Sequence, residues 1–261
     1  MSMWKNVQVG KIPKLNNPLF IEGLPGIGNV GKVAIDFMID ELKAIKLYEI
    51  TSSAFPHSVF VNEENLVELP TVEIYYKKMR GRDLLLMGGD VQPIDEAGCY
   101  HFSNNVLDLL EKHGVKELIT LGGIGLSDIP KKPKVFMAGN NGTITSAYKK
   151  ELKGLVEHSL YGVVGPIVGV SGLMVGLASQ RKMGAVCLLA ETYGHPMYLG
   201  IKGARELLRV LDKKLGLKLK VKKLEKEIKD IEAEIKHTEL QDPSKAGTFV
   251  KGQTQEVNYI G

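Results

Sequence analysis

The sequence predicts an α/β protein whose mainly parallel sheet is covered by helices on both faces. Short apolar segments alternate with segments of helical periodicity, and several apolar segments end in glycine-rich turns, at 23–28, 88–89, 122–125 and 194. The chain has 261 residues, of which 44% are hydrophobic, so one large domain with an appendage fits its length. In open sheets of this kind, ligands bind in the crevice at the carboxyl ends of the strands.

The first half of the chain alternates between strand and helix patterns. The apolar positions of residues 29–45 share one helical face, and Gly114 is placed to close the helix predicted over 95–113. Asp95 is the expected N-cap of that helix. The predicted strands cover 18–24, 48–52 and 83–87, and residues 59–76 form a hairpin or meander with a turn at 62–65.

The second half continues the same alternation. We expect strands over 117–121 and 185–190, and helices over 146–153, 172–182 and 200–215, the last ending at Gly216. The Asn140-Asn141-Gly142 segment after apolar residues 136–138 predicts a hairpin or a turn. The α/β body therefore spans residues 1–216.

A narrow apolar seam follows the body over residues 217–241. Its apolar positions are spaced alternately three and four residues apart, with lysine and glutamate between them: Val221, Leu224, Ile228, Ile231 and Ile235. This heptad spacing favours a projecting amphipathic helix that self-associates as a coiled coil, which would make these five positions oligomerisation contacts. A helix docked on its own body is the alternative interpretation.

The last segment, residues 242–261, predicts a flexible tail. It is rich in Gly, Ser, Thr, Lys and Gln, and it ends in Tyr259, Ile260 and Gly261. An apolar anchor beside a terminal carboxylate is a known mode of peptide recognition. These three residues are therefore candidate partner-binding residues.

Charge and composition narrow the classes of function. The net charge is +4, and residues 213–236 hold nine lysines and five acids, which leaves the rest neutral (34 − 9 = 25 basic, 30 − 5 = 25 acidic). A neutral body argues against nucleic-acid binding over its surface. No apolar run suffices to span a bilayer and the chain begins without a signal-peptide pattern, so we expect a cytoplasmic protein. Cys99 and Cys187 are expected to be reduced core residues.

A glycine turn after the first strand is the strongest candidate for ligand binding. Gly26, Gly28 and Gly31 fit the dinucleotide-binding fingerprint, and Glu49 lies near the end of the second strand, where a ribose-binding acid would lie. The same segment nearly fits a phosphate-binding P-loop, but Val33 offers no hydroxyl for Mg²⁺. Alternatively, the glycines serve a tight turn and close helix packing. An anion at the helix N-terminus also fits.

Other catalytic patterns are weaker. Ser171 lies in a segment that lacks the final glycine of a nucleophile elbow. Glu191 and His195 are either an acid/base pair or a structural pair. The sequence has no paired CxxC and no HExxH. We therefore expect no catalytic residues, no metal site and no cofactor.

Three glycine-rich segments are specific in combination: residues 20–31 (FIEGLPGIGNVG), 86–93 (LMGGDVQP) and 120–123 (TLGG). Together with 162–176 and 190–192, they resemble the archaeal proteasome-assembly-chaperone family, and its PbaB-like members in particular. The resemblance implies a three-layer α/β/α sandwich like that of nucleoside phosphorylases, without established catalysis. It also implies homo-oligomers, here guessed to be tetramers, that bind the α-subunit ring of the 20S proteasome without ATP.

Members of that family carry a C-terminal hydrophobic-Tyr-X tail, which by resemblance inserts between neighbouring α subunits. In this chain Tyr259 is third from the end and Ile260 holds the penultimate place, which shifts the docking register. The resemblance assigns the role to Tyr259, Ile260 and the Gly261 carboxylate. Two competing hypotheses are a nucleoside- or nucleotide-binding enzyme that uses the Gly26–Gly31 crevice, and an RNA-associated protein that uses the basic helix.

Overall fold

The computed structural model describes residues 3–157, 159–160, 165–196, 198–221, 224 and 226. Ten strands and five helices follow one another within these residues. The strands are β1 (Trp4–Gln8), β2 (Leu19–Glu22), β3 (Ile45–Ser52), β4 (Phe60–Val61), β5 (Val67–Glu68), β6 (Val72–Lys77), β7 (Leu84–Gly89), β8 (Glu117–Leu126), β9 (Val135–Gly139) and β10 (Gly184–Tyr193). The helices are α1 (Val30–Leu42), α2 (Glu96–Lys112), α3 (Gly142–Glu151), α4 (Val170–Gln180) and α5 (Ile201–Leu215).

Eight strands form one mixed sheet in the order β1-β3-β6-β7-β2-β8-β10-β9, and β4 and β5 form a separate hairpin. The central strands β7, β2, β8 and β10 pair in parallel, and β3 runs in their direction without pairing with them; the other four pairings are antiparallel. The prediction of a mainly parallel sheet therefore holds for the central strands, whereas the complete sheet is mixed. The segment interpreted as a hairpin or meander contributes β6 to the main sheet, between β3 and β7. The two outermost strands, β1 and β9, each pair antiparallel with their neighbour.

Helices cover both faces of the sheet, as predicted. Successive strand residues point to opposite faces, and two separate apolar clusters divide them accordingly. Leu19 and Ile21 pack with α1, α3 and α5, whereas Phe20 between them packs with α2 and α4. This alternation makes the body a three-layer α/β/α arrangement, while its likeness to nucleoside phosphorylases stays a prediction.

Local signals explain the helix boundaries. Asp95 accepts a hydrogen bond from the Gly98 amide at 2.6 Å and caps α2, and Gly114 follows its end with a φ of 73°, so both predictions are confirmed. The Asn140-Asn141-Gly142 signal is not a hairpin. The Asn141 side chain instead accepts from the Ile144 amide at 3.0 Å and starts α3 four residues before the predicted boundary.

Strand β1 had no counterpart in the sequence prediction. Only Trp4 of its residues is buried, so the strand shows no alternation of apolar and polar positions. Trp4 packs edge-on against Phe55 and Phe102, with ring centroids 5.4 and 5.1 Å away. A single aromatic anchor thus fixes an otherwise exposed edge strand.

The start of the predicted seam packs on the body. Gly216 ends α5 with a φ of 63°, and Leu224 is buried in the cluster formed with α1, α3 and α5, with Val221 partly buried against it. At these two positions the alternative of a docked segment fits better than a free coiled-coil seam. Ile228, Ile231, Ile235, the rest of the predicted helix 217–241 and the tail 242–261 lie outside the described residues. None of the described helices combines the length and the apolar character needed to cross a membrane.

Candidate functional site

The central strands begin at one side of the sheet and end at the opposite side. We call these two rows of strand ends the edges of the sheet, and the residues at the two edges differ in composition. The carboxyl ends of β2, β7, β8 and β10 define one edge, which we call the carboxyl edge. Strand β3 runs in the same direction, so the β4–β5 hairpin that follows it also lies at this edge. The β8–β9 loop, residues 127–134, lies there too.

A crevice opens at the carboxyl edge between the turns after β2, β7 and β8 and the start of α4. It has a volume of about 1320 Å³. Most of its lining is glycine or apolar, and the polar side chains that reach it include Gln92, Asp95 and Ser171. This position agrees with the general location of ligand sites in open α/β sheets.

Gln92 joins three walls of this crevice. Its Nε2 donates to the Pro25 carbonyl at 2.6 Å, and its Oε1 accepts from the Val170 amide at 3.2 Å. The turn after β2 and the first turn of α4 are thereby fixed to the segment after β7. The first amide of α4, that of Val170, is thus bonded to Gln92.

The glycine turn itself is built largely for packing. A Cβ on Gly31 would lie 2.5 Å from the Leu121 carbonyl oxygen, so glycine lets α1 approach β8 closely. Gly28 has a φ of 61° and lies against Thr192, away from the crevice lining. Gly26 and Gly31 do line the crevice, and Gly26 has no atom within 4 Å of its would-be Cβ. The three candidate glycines therefore do not form one cradle.

The positions of Glu49 and Lys32 argue against both the dinucleotide-binding and the P-loop interpretation. Strand β3, which carries Glu49, is separated from β2 by β6 and β7, so Glu49 does not lie beside the glycine turn. Lys32 donates to the Gly89 carbonyl at 3.0 Å and pairs with Asp36 at 2.9 Å. The lysine at the P-loop position is thus engaged away from the crevice.

A fully buried carboxyl group lies beneath the crevice floor. Glu22 Oε1 accepts hydrogen bonds from the Leu24 amide at 2.9 Å and the Ser171 hydroxyl at 3.2 Å. Its Oε2 has no hydrogen-bond partner among the described residues. Burial in this apolar surrounding raises the pKa of Glu22 to about 7, although the two donors partly oppose the rise.

The remaining sequence candidates have structural partners. Glu191 Oε2 accepts from the Lys134 amide at 2.9 Å, and Tyr193 stacks on His195 with ring centroids 5.7 Å apart. Both cysteines are free thiols, Cys187 fully buried and Cys99 partly buried in the crevice wall. Glu22 and Gln92 were missed as site residues, although a lone carboxylate in an apolar strand end is a signal that could have pointed to Glu22.

The opposite edge of the sheet, the amino edge, is charged. Arg82 pairs with Glu117 at 2.9 Å, and Glu117 also accepts a hydrogen bond from the Tyr148 hydroxyl. Lys214 pairs with Glu151 and lies over the Tyr148 ring at 4.0 Å from its centroid. Tyr259, Ile260 and Gly261, the candidate partner-binding residues, lie outside the described residues.

A mixed eight-stranded sheet between two helical layers, with an apolar crevice at the carboxyl edge, defines the class of this protein. Its sequence identifies the family: the PAC2 family model matches residues 20–239, and the chain belongs to that family. An uncharacterized protein of Methanocaldococcus jannaschii is 30% identical over 97% of this chain and 96% of its own length.

Two solved structures share this architecture over nearly the whole chain. The first is Pyrococcus furiosus PbaB, described as an archaeal proteasome activator, at 33% identity with a TM-score of 0.84. The match covers 92% of this chain and 100% of PbaB. The second is Pyrococcus furiosus PbaA, described as an archaeal homolog of proteasome-assembly chaperone, at 25% identity with a TM-score of 0.72 over 91% of this chain and 92% of PbaA. The predicted resemblance to the PbaB-like family is confirmed.

Proposed function

We propose that this protein is an ATP-independent, non-catalytic proteasome assembly chaperone or activator-like protein that binds the α-subunit ring of the 20S proteasome through its C-terminal tail. The observation that carries the proposal is the similarity to PbaB, which extends over 92% of this chain at 33% identity. The relation to PbaA, over 91% of the chain, supports a role in assembly.

The carboxyl edge supports a protein-binding role. Ile27, Ile94, Tyr100 and Val168 are exposed at or beside the crevice, and the hairpin residues at the same edge are exposed as well. The cores of protein interfaces are apolar and rich in aromatic residues. Exposed apolar side chains grouped at one edge in this way are typical of interaction sites.

In the proposal the tail makes the contact with the ring. Tyr259 and Ile260 enter a pocket between neighbouring α subunits, and the Gly261 carboxylate pairs with a basic side chain there. The linker after residue 241 averages about 20–25 Å by random-coil scaling. Several tails on one homo-oligomer then engage several pockets of a ring, so that avidity compensates for a shifted tyrosine.

Co-sedimentation with isolated α-subunit rings tests the proposal. We expect wild-type protein to bind, a variant truncated after residue 241 to lose binding while it keeps its oligomeric state, and Tyr259→Ala to bind at least about tenfold more weakly, as for a central anchor residue. Asn258→Ala is the matched tail control and should bind like wild type. Undiminished ring binding by the truncated protein would overturn the tail assignment.

The enzyme alternative makes a separate prediction. A protein that binds nucleosides, phosphate or dinucleotides in the crevice would be stabilised by roughly 2.7 kcal/mol at a hundredfold excess of ligand over its dissociation constant. Because Gly28 and Gly31 are used for packing and Lys32 is engaged elsewhere, we expect no shift in thermal unfolding with any of these ligands. A saturable shift that Gly26→Leu abolishes would favour the enzyme.

A further inference from the structure

The hairpin formed by β4, β5 and their flanking residues, 59–69, is apolar on both sides; we call it the apolar hairpin. Its large apolar side chains are all exposed: Val59, Phe60, Val61, Leu66, Val67 and Leu69. Successive residues of a strand point to opposite faces, so no single docking surface on the same body covers them all. A two-stranded ribbon is only marginally stable by itself in water. The apolar hairpin therefore needs a partner that encloses it.

The crevice is a concave apolar surface at the same edge. Ile94 on its wall is 67% exposed and Val168 is 86% exposed, so apolar side chains reach its mouth. Its volume of about 1320 Å³ exceeds the roughly 300–1,000 Å³ of small-molecule sites. A cavity of this size and polarity suits a polypeptide segment.

Charges flank the crevice asymmetrically. The turn of the apolar hairpin exposes Glu63 and Glu64, and it lies toward the β3–β6 side of the sheet. The β8–β9 loop exposes Lys131 and Lys132 on the other side of the crevice. Along the carboxyl edge, the order is thus acidic turn, apolar crevice, basic loop.

We propose that two copies of this chain associate carboxyl edge to carboxyl edge, with the apolar hairpin of each copy bound in the crevice of the other. A two-fold axis midway between the apolar hairpin and the crevice brings the acidic turn of each copy, at the tip of its bound hairpin, next to the basic loop of its partner. Each copy supplies both the convex and the concave surface, as an isologous interface requires. A stable interface uses roughly 20–30 residues per side, and the hairpin and the crevice lining together supply that many.

Cys99 gives a reporter of crevice occupancy in the full-length protein. It lies in the crevice wall and is partly exposed, whereas Cys187 is fully buried. The alkylation of Cys99 by iodoacetamide should slow as the protein concentration rises. At a total concentration about tenfold above the dissociation constant, mass action leaves about one crevice in five free, so the rate should fall about fivefold.

Two matched variants assign the contact. Val61, on the apolar hairpin, is 65% exposed, and Ile45, at the amino edge, is 66% exposed. Val61→Asp should give a lower sedimentation coefficient and fast, concentration-independent alkylation of Cys99, while Ile45→Asp should behave as wild type. Circular dichroism of both variants controls for folding.

A charge exchange tests the orientation. Glu64→Lys should weaken Cys99 protection, and Glu64→Lys combined with Lys131→Glu should restore it. Failure of the double variant to recover would contradict the two-fold arrangement.

Three results would overturn the proposal, and each assigns the crevice differently. Alkylation independent of concentration in the wild type means that no second copy enters it. Protection lost on truncation after residue 241, but kept in Val61→Asp, assigns the crevice to the chain's own tail. Protection that arises only when α-subunit rings are added assigns it to another protein. None of these outcomes depends on whether the tail binds the proteasome.

Discussion

The two edges of the sheet differ in whether their polar groups are paired and whether their apolar side chains are exposed. At the amino edge, polar groups are paired: Arg82 with Glu117, Tyr148 with Glu117, and Lys214 with Glu151. At the carboxyl edge, a buried Glu22 oxygen and the Thr192 hydroxyl have no partner among the described residues, and large apolar side chains face solvent. The comparison indicates that the amino edge stabilises the fold, whereas the carboxyl edge leaves polar groups unpaired and apolar side chains exposed, as the proposed interaction surface requires.

The largest expected effect comes from Glu22. Its folded-state pKa of about 7 exceeds the unfolded value of 4.5, so the folded state binds more protons between these pH values. The free energy of unfolding should therefore fall as pH rises from about 4.5 to about 7, by roughly 3 kcal/mol at about 1.4 kcal/mol per pKa unit.

The Glu22→Gln variant isolates this contribution. Urea unfolding measured between pH 5 and 8 should show the variant gaining stability relative to wild type as pH rises, with the difference levelling off above pH 7. Parallel pH profiles for the two proteins would show that Glu22 is not a source of instability at the carboxyl edge.

Gly31→Ala should have the next largest effect. Its Cβ would lie 2.5 Å from the Leu121 carbonyl oxygen, where only backbone movement can relieve the clash. We expect a loss of about 2 kcal/mol of unfolding free energy, typical of overpacking, in urea unfolding. Gly26→Ala is the matched control, since no atom lies within 4 Å of its would-be Cβ. Equal losses in the two variants would contradict a packing role specific to Gly31.

Tyr148→Phe tests the amino edge. The hydroxyl donates to Glu117, while the ring stays buried under Lys214 in the variant. We expect a loss of about 1.5 kcal/mol in thermal or urea unfolding, the lower end of the contribution of a hydrogen bond to a charged group. No loss would mean that the Arg82–Glu117 pair stabilises the Glu117 carboxylate without the Tyr148 hydroxyl.

The smallest effect on stability is expected at the crevice mouth. Ile94→Ser replaces an apolar side chain that is largely exposed, so the unfolding free energy of the dilute protein should change by no more than about 0.5 kcal/mol. The same substitution should weaken self-association in sedimentation. A large loss of stability with unchanged association would reverse the roles assigned to the two edges.

The regular part of the fold was accessible from the sequence because its signals are local. Asp95 and Gly114 delimit α2 through their own side-chain and backbone preferences, and the core strands are continuous apolar runs. Strand direction was not accessible: no local pattern in β6 shows that it pairs antiparallel with both β3 and β7 within the main sheet. Edge strand β1, with Trp4 as its single buried residue, carried no pattern at all.

The candidate site was predicted less completely than the fold. The glycine pattern correctly marked a tight strand-to-helix turn, but Gly28 and Gly31 are explained by their contacts with Thr192 and Leu121. Glu22 stood within a recognised segment, yet its importance depends on burial beneath Ser171, a residue distant in sequence. Such contacts between distant segments arise only from the tertiary fold.

The proposed chaperone role predicts one direct effect on proteasome formation. Separately purified proteasome α and β subunits would be mixed with and without this protein, and assembled 20S particles would be quantified over time by native electrophoresis. We expect faster or more complete assembly with the wild-type protein and none of this gain with the variant truncated after residue 241. Assembly that proceeds identically in the presence and absence of the protein, under conditions where it remains folded, would contradict the proposed role.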